Sequence, residues 1–182
     1  MNPAYLYISI IVILICTIII IYSTIYNKFQ SYIIRINEAE GKIDNILRNK
    51  YDLLNRVIAI IKGNIKIEDE IFEEIVKLRS RKISNFDLDR KLVTATNEFL
   101  AIREKHKEEL QSDEIRKIYK SLLDIDGTLT SLKEYYNENI TAYNKLIRIF
   151  PTNIVAKVSK YKEKPFFDGK DMTDDIIDDF KL

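Results

Sequence analysis

The chain has 182 residues, 31% of them charged and 46% hydrophobic, with a net charge of +1. That balance gives no electrostatic case for nucleic acid as a partner, and only four glycines and three prolines favour a few long helices over a many-stranded sheet. One cysteine, Cys16, and one histidine, His106, exclude an internal disulfide and a Cys-based zinc cluster, so neither a metal nor a cofactor is expected.

Residues 1–27 carry no charged side chain, and the run "YLYISIIVILICTIIIIYSTIY" at 5–26 is about 33 Å long as a helix, enough for a hydrocarbon core of about 30 Å. Tyr5 and Tyr7 flank one end and Tyr22 and Tyr26 the other, where amphipathic rings prefer the headgroup layer. A cleaved signal peptide needs a basic start, a shorter apolar core and a small-x-small cleavage site, and none is present. An uncleaved transmembrane anchor over 1–27 is therefore expected. Lys28, Arg35, Lys42, Arg48 and Lys50 follow the run and no basic residue precedes it, which places the N-terminus outside and the body in the cytoplasm. The five basic residues could touch anionic lipid, but Glu38, Glu40, Asp44 and Asp52 are interleaved with them, and a solvated helix face is the simpler reading.

Beyond the anchor the apolar residues become periodic. Phe29, Ile33, Ile36, Ile43, Leu47, Leu54, Val57 and Ile61 recur at three-, four- or seven-residue intervals, the stripe of a packed helix. No proline interrupts before Gly63, so the membrane helix is expected to run straight into the first body helix and stop there. A second helix is expected over "IEDEIFEEIVKLRSRK" at 67–82, acidic at its start and basic at its end, with Ile71, Ile75 and Leu78 as its apolar stripe and Phe72 beside it. "SNFD" at 84–87 supplies caps. A third helix follows from about Asp87 to Leu110, with Leu88, Leu92, Ala95, Phe99, Ile102 and His106 on one face, and Ser112 is placed to cap a fourth.

That fourth helix carries the clearest pattern. Ile115, Leu122, Leu129, Tyr136, Tyr143 and Phe150 stand seven apart, and Ile118, Ile125, Leu132, Asn139 and Leu146 take a second seam position. One seam cannot fold alone, and the other helices carry matching stripes. The expected fold is all-α: an antiparallel three- to four-helix bundle of long helices over 28–162, preceded by one N-terminal transmembrane helix. An intermolecular coiled coil of the fourth helix is the alternative. Tyr136, Tyr143 and Asn139 put polar groups on the seam; either each finds a partner on another helix, with Asp44, Arg79 and Asn139 as the partners expected, or the hydroxyls reach solvent at an end of the seam. Phe150-Pro151 ends the helix, because a residue before proline is pushed out of the helical region. The acidic stretch 163–182 reads as a flexible tail, with a short docking helix around Ile176, Ile177 and Phe180 as the alternative.

Taken together, these residues resemble the LemA family. "YN" at 26–27, Ile43-Asp44, Asp52-Leu53, Lys62-Gly63, Glu68, Phe72-Glu73, Arg79-Ser80, Tyr136-Asn137, Tyr143-Asn144, "FPTN" at 150–153 and the pair Phe166-Phe167 follow the family's order and spacing, with a poorly matching middle from about 81 to 125. The chain departs from it at Glu40, where the family commonly has tryptophan, at Asn55, where it has proline, and at His106-Lys107, where it has a Tyr-Pro break. The resemblance implies a bacterial protein of the cytoplasmic membrane with an N-terminal anchor and an all-helical domain; the family's biochemical activity is not established.

No constellation points to catalysis. His106 has no serine, cysteine or carboxylate fixed near it by a recognisable motif, and Glu68, Asp69, Glu70, Glu73 and Glu74 lack the helix-borne histidine that carboxylate metal sites use. Asp44 is read either as a partner of Arg79 on another helix or as a surface residue. Gly41 and Gly127, inside helices, mark either close helix approach or simple tolerance. The candidate interhelical or partner-binding residues are thus Asp44, Arg79, Tyr136, Asn137, Asn139, Tyr143, Asn144, Phe150 and Pro151. The function expected is that of a non-enzymatic, membrane-tethered scaffold or adaptor, with lipid around the N-terminal helix, protein partners and a possible homo-oligomer. An accessory of membrane remodelling or lipid organisation acting through oligomerisation is the alternative.

Overall fold

The computed structural model describes residues 3–65, 72, 73, 75 and 83–168. Among them the regular structure is helix without strand: α1 (Pro3–Asn64), α2 (Asn85–Lys105), α3 (Asp113–Arg148) and a short α4 (Thr152–Val158). The chain is all-α, as expected. The absence of helix-breaking residues lets α1 run unbroken from the apolar stretch into the body, to within a residue of Gly63. Ser84 caps α2 as expected, its hydroxyl accepting the Asp87 backbone N–H at 3.1 Å. Ser112 accepts that of Ile115 at 3.3 Å. The third helix ends earlier than its apolar face predicts: α2 stops at Lys105 with His106 as its C-cap. Of the helix expected at 67–82, only Phe72, Glu73 and Ile75 are described; Phe72 and Ile75 are fully buried.

The chain divides into two compact units. Among the described residues, one is built from 39–65, 72, 73, 75 and 83–135 with 167 and 168. Its core is the expected stripe, Ile43, Leu47, Leu54, Val57 and Ile61 from α1, Leu92, Ala95 and Phe99 from α2, and Ile115, Ile118, Leu122 and Leu129 from α3. Among the described residues two ion pairs cross between its helices. Lys50, fully buried, reaches Asp126 at 2.5 Å, and Lys133 reaches the nearly buried Asp89 at 2.8 Å. Arg103 also lies over the Tyr119 ring, 4.3 Å from its centroid. Pairing 89 with 133 and 103 with 119 makes α2 and α3 antiparallel.

The burial of Lys50 corrects its assignment to a basic, lipid-facing or solvated helix face. It stands in the series Phe29, Ile36, Ile43, Lys50, Val57, so the helix carries its stem inward with the stripe. Of the two readings of Gly41 and Gly127, tolerance is the one the structure favours: a Cβ at either would meet nothing within 4 Å.

Among the described residues the other unit comprises 3–38 and 136–166. Its core joins Phe29 and Ile36 of α1, Ile140, Tyr143 and Leu146 of α3, and Ala156 of α4. A straight α-helix drifts by about 20° per heptad from a seven-residue repeat. Toward its C-terminal end α3 therefore buries Ile140 and Asn144, which the seam pattern left out, while Tyr136 is only half-buried. Phe150, expected on the seam, is 78% exposed. α3 ends at Arg148, and past that point the register has no helix to carry it.

Candidate functional site

Tyr143, Asn144 and Thr152 lie where the end of α3, the short α4 and the chain after it meet α1. Tyr143 sits on the buried face and points its ring at Phe29, edge-to-face with centroids 5.7 Å apart, and at Tyr161, 6.4 Å away. Tyr161 in turn lies 4.8 Å from Phe29 and 6.2 Å from Tyr26. Its hydroxyl accepts the Gln30 side-chain amide at 2.7 Å. Burial raises the pKa of both Tyr143 and Tyr161, and for Tyr161 the hydrogen bond with Tyr26 adds to it. Both phenols stay protonated at neutral pH.

Tyr161 is aimed inward by the end of α4. Its N–H donates to the Ala156 carbonyl at 2.9 Å and that of Lys160 to Lys157 at 3.2 Å, while Lys160 takes a positive φ of 57°. These are the paired bonds of a Schellman ending, here with lysine at the position glycine usually fills. They reverse the chain so that the residue after Lys160 falls back on the core.

Asn144 does the polar work of the second Tyr-Asn pair. It is 1% exposed, donates to the Lys164 carbonyl at 2.8 Å and accepts the Lys164 N–H at 2.9 Å. One side-chain amide thereby satisfies both backbone groups of a residue 20 positions on. Arg148 adds a forked pair to Glu163, at 2.8 and 2.7 Å, and the Arg148 hydrogen bonds lower the Glu163 pKa. Glu163 and Lys164, grouped by sequence with the acidic tail, are thus tied to α3. The threonine of "FPTN" closes the end of α3. Its hydroxyl lies 2.5 Å from the Leu146 carbonyl and 3.0 Å from that of Ile149, covering acceptors the helix leaves open.

The remaining expected residues fall elsewhere. Asp44 is half-buried and accepts from Arg48 on its own helix at 2.9 Å; Arg79, its expected partner, lies outside the described residues. Asn139 is buried and Asn137 half-buried. Pro151 is the N-cap residue of α4. Tyr161, Gln30 and Lys164 are not singled out by the sequence, and Thr152 enters only within "FPTN". No spacing signals Tyr161, which reaches the cluster through a turn rather than along a helix. Among the described residues no three His, Cys, Asp or Glu side chains converge, and His106 lies at the end of α2, 3.4 Å from Glu109.

Residues 39–177 match the model of the LemA family, well over half of the chain. The chain belongs to the LemA family. No curated protein matches it. The match covers the body part of α1 from residue 39, the helices after it and the Asn144, Arg148 and Thr152 contacts described above. The apolar part of this LemA-family chain lies before the matched region: α1 contains one stretch long and apolar enough to cross a membrane, with a mean hydropathy of 2.9 and none of it buried.

Proposed function

We propose that this LemA-family chain is a single-pass membrane protein whose helical body serves as a non-enzymatic scaffold or adaptor, held at the inner face of a bacterial cytoplasmic membrane and offered to protein partners. The observation that carries this reading is the continuity of α1 over Pro3–Asn64. Its first part exposes an unbroken apolar surface, and from Phe29 onward the same helix supplies core side chains. An anchor joined to the body by a flexible linker would let it swing; one that is itself a core helix fixes the body relative to the bilayer. The exposed Lys28, Arg35, Lys42 and Arg48 on the body side of the run support an inside location for the body by the positive-inside rule.

A cysteine at the exposed Lys120, with Cys16 replaced by serine, tests both parts in intact cells. An impermeant maleimide should label it only after the membrane is opened, and a bifunctional crosslinker attached there should capture a partner. Labelling in intact cells sinks the orientation. The absence of any crosslinked species sinks the adaptor reading. Crosslinks confined to copies of the same chain favour instead an accessory of lipid organisation that works by oligomerising.

A further inference from the structure

Four large apolar residues at the turn from α3 into α4 find no place in the core. Phe150 is 78% exposed, Val158 65%, Ile154 53% and Ile149 43%. Phe150, Ile154 and Val158 follow one another at four-residue steps, and in α4 the last two share a face. The other side of α4 is already used: Thr152, Val155 and Ala156 are buried. A short surface helix needs one apolar side to pack; this one has two. An exposed apolar patch of this kind marks an interaction surface.

Its surroundings say what covers it. The Ser159 hydroxyl, next to Val158, lies 3.1 Å from that of Tyr22, a residue inside the apolar run of α1. Tyr22 stacks on Tyr26, with centroids 6.3 Å apart, and Tyr26 contacts Tyr161. Tyr22 is four residues, about 6 Å at 1.5 Å per residue, further into the apolar run than Tyr26. The C-terminal end of α4 therefore sits at the level where the apolar stretch begins. Lys157, Lys160 and Lys162 are exposed around it, and Glu163, the carboxylate next to them in sequence, is engaged by Arg148. An apolar face bordered by lysines suits the boundary between acyl chains and anionic headgroups.

We infer that the turn at Ile149-Phe150 and the outer face of α4 form a second membrane contact, a foot that enters the interfacial layer of the same leaflet beside the span. This rests on reading α1 as a membrane span. It gives the Phe-Pro break a purpose, since ending α3 at Arg148 turns the Phe150 ring out of the body. The protein then touches the bilayer at two points, which fixes its tilt as well as its distance.

The chain contains no tryptophan, so a single introduced indole reports without background. Three variants of the full chain, Phe150→Trp, Val158→Trp and Ile15→Trp, are reconstituted in vesicles of mixed neutral and anionic lipid, with Leu123→Trp as an aqueous reference. The lipids are brominated either near the headgroup end or near the middle of the acyl chains. The expected result is blue-shifted emission at 150 and 158, most of it lost with the shallow bromines and little with the deep ones. Ile15→Trp should be quenched by the deep bromines and Leu123→Trp by neither. If Ile15→Trp is quenched while 150 and 158 behave like 123, the foot is overturned and the span stands. Blue emission at 150 and 158 that neither bromine quenches overturns it as well, because another polypeptide then covers the patch. If Ile15→Trp also escapes quenching, the span reading falls and the foot falls with it.

Discussion

Lys50 of α1 and Asp126 of α3 form an ion pair at 2.5 Å in which the lysine side chain is wholly excluded from water and the aspartate remains 40% exposed. The two ends of this pair are not equivalent. Removing the aspartate leaves an ammonium group buried without its counter-charge, whereas removing the lysine leaves a carboxylate that water can reach. Asp126→Ala should cost about 3 kcal/mol, the low end for stranding a buried charge, while Lys50→Met, which keeps the stem and drops the charge, should be within about 1 kcal/mol of neutral. Denaturant midpoints of the full chain in detergent micelles measure both. Equal losses would show that the pair stabilises the fold outright.

Much of this architecture is legible from residue spacing, because burial on a helix follows period 3.6 wherever the side chains are apolar. The stripe of α1 and the seam of α3 up to Leu129 were readable for that reason. Lys50 reads as part of the basic face because a charged residue in a stripe looks like an interruption, although its seven-residue distance from Ile43 and Val57 carries the signal of burial. The cluster around Tyr143 was only half legible. Its ring lies on the predicted face, but Tyr161, Lys164 and Glu163 arrive through a turn at a positive φ on Lys160, and lysine there carries no local signature. Phe150 was misplaced by extending a register past the end of its helix.

The role of Tyr143 can be divided between its ring and its hydroxyl. The contacts around it are the Phe29 and Tyr161 rings, so the ring should carry the stabilisation. Tyr143→Ala is expected to lose about 3–5 kcal/mol through the cavity it leaves, and Tyr143→Phe less than about 1 kcal/mol. A loss of about 1–3 kcal/mol in the phenylalanine variant would instead mean that the hydroxyl holds a buried polar partner.

Asn144 should be less tolerant than its size implies. Replacing it by alanine removes both bonds to Lys164 and leaves a buried N–H and carbonyl to find water, at about 1–3 kcal/mol. Hydrogen exchange resolves the effect by site: the Lys164 amide should lose its protection, while amides in the middle of α2 keep theirs. Asn144→Asp retains the acceptor for the Lys164 N–H but sets a carboxylate against the Lys164 carbonyl. It should therefore be worse than alanine at neutral pH and improve as the carboxylate is protonated.

Gly41→Ala and Gly127→Ala are expected to stabilise the chain. Both positions are exposed within helices, and a Cβ at either enters open space. Only the backbone freedom of the unfolded chain is lost, worth about 0.5–1 kcal/mol at each site. The two changes lie on different helices and should add. A destabilised variant at either position would reveal a close neighbour, and with it a partner surface on that helix.

The Arg148–Glu163 pair fixes how the returning chain responds to acid. The Glu163 pKa is lowered in the folded state, chiefly by its hydrogen bonds to Arg148; burial opposes them, and the guanidinium charge adds a smaller lowering effect than burial takes away. A depressed folded-state pKa means that the pair's stabilisation is fully present above the unfolded value, about 4.3, and is lost as pH falls through the lower folded value. With side chains 39% and 35% exposed, water and salt screen the pair. Its contribution at neutral pH should be about 0.5–1 kcal/mol despite the forked geometry. Glu163→Gln should therefore be less stable than the parent chain at neutral pH and in low salt. The gap should close both when salt is raised and when pH is taken below the folded value. A gap that persists in acid would mean that Glu163 acts through packing rather than charge.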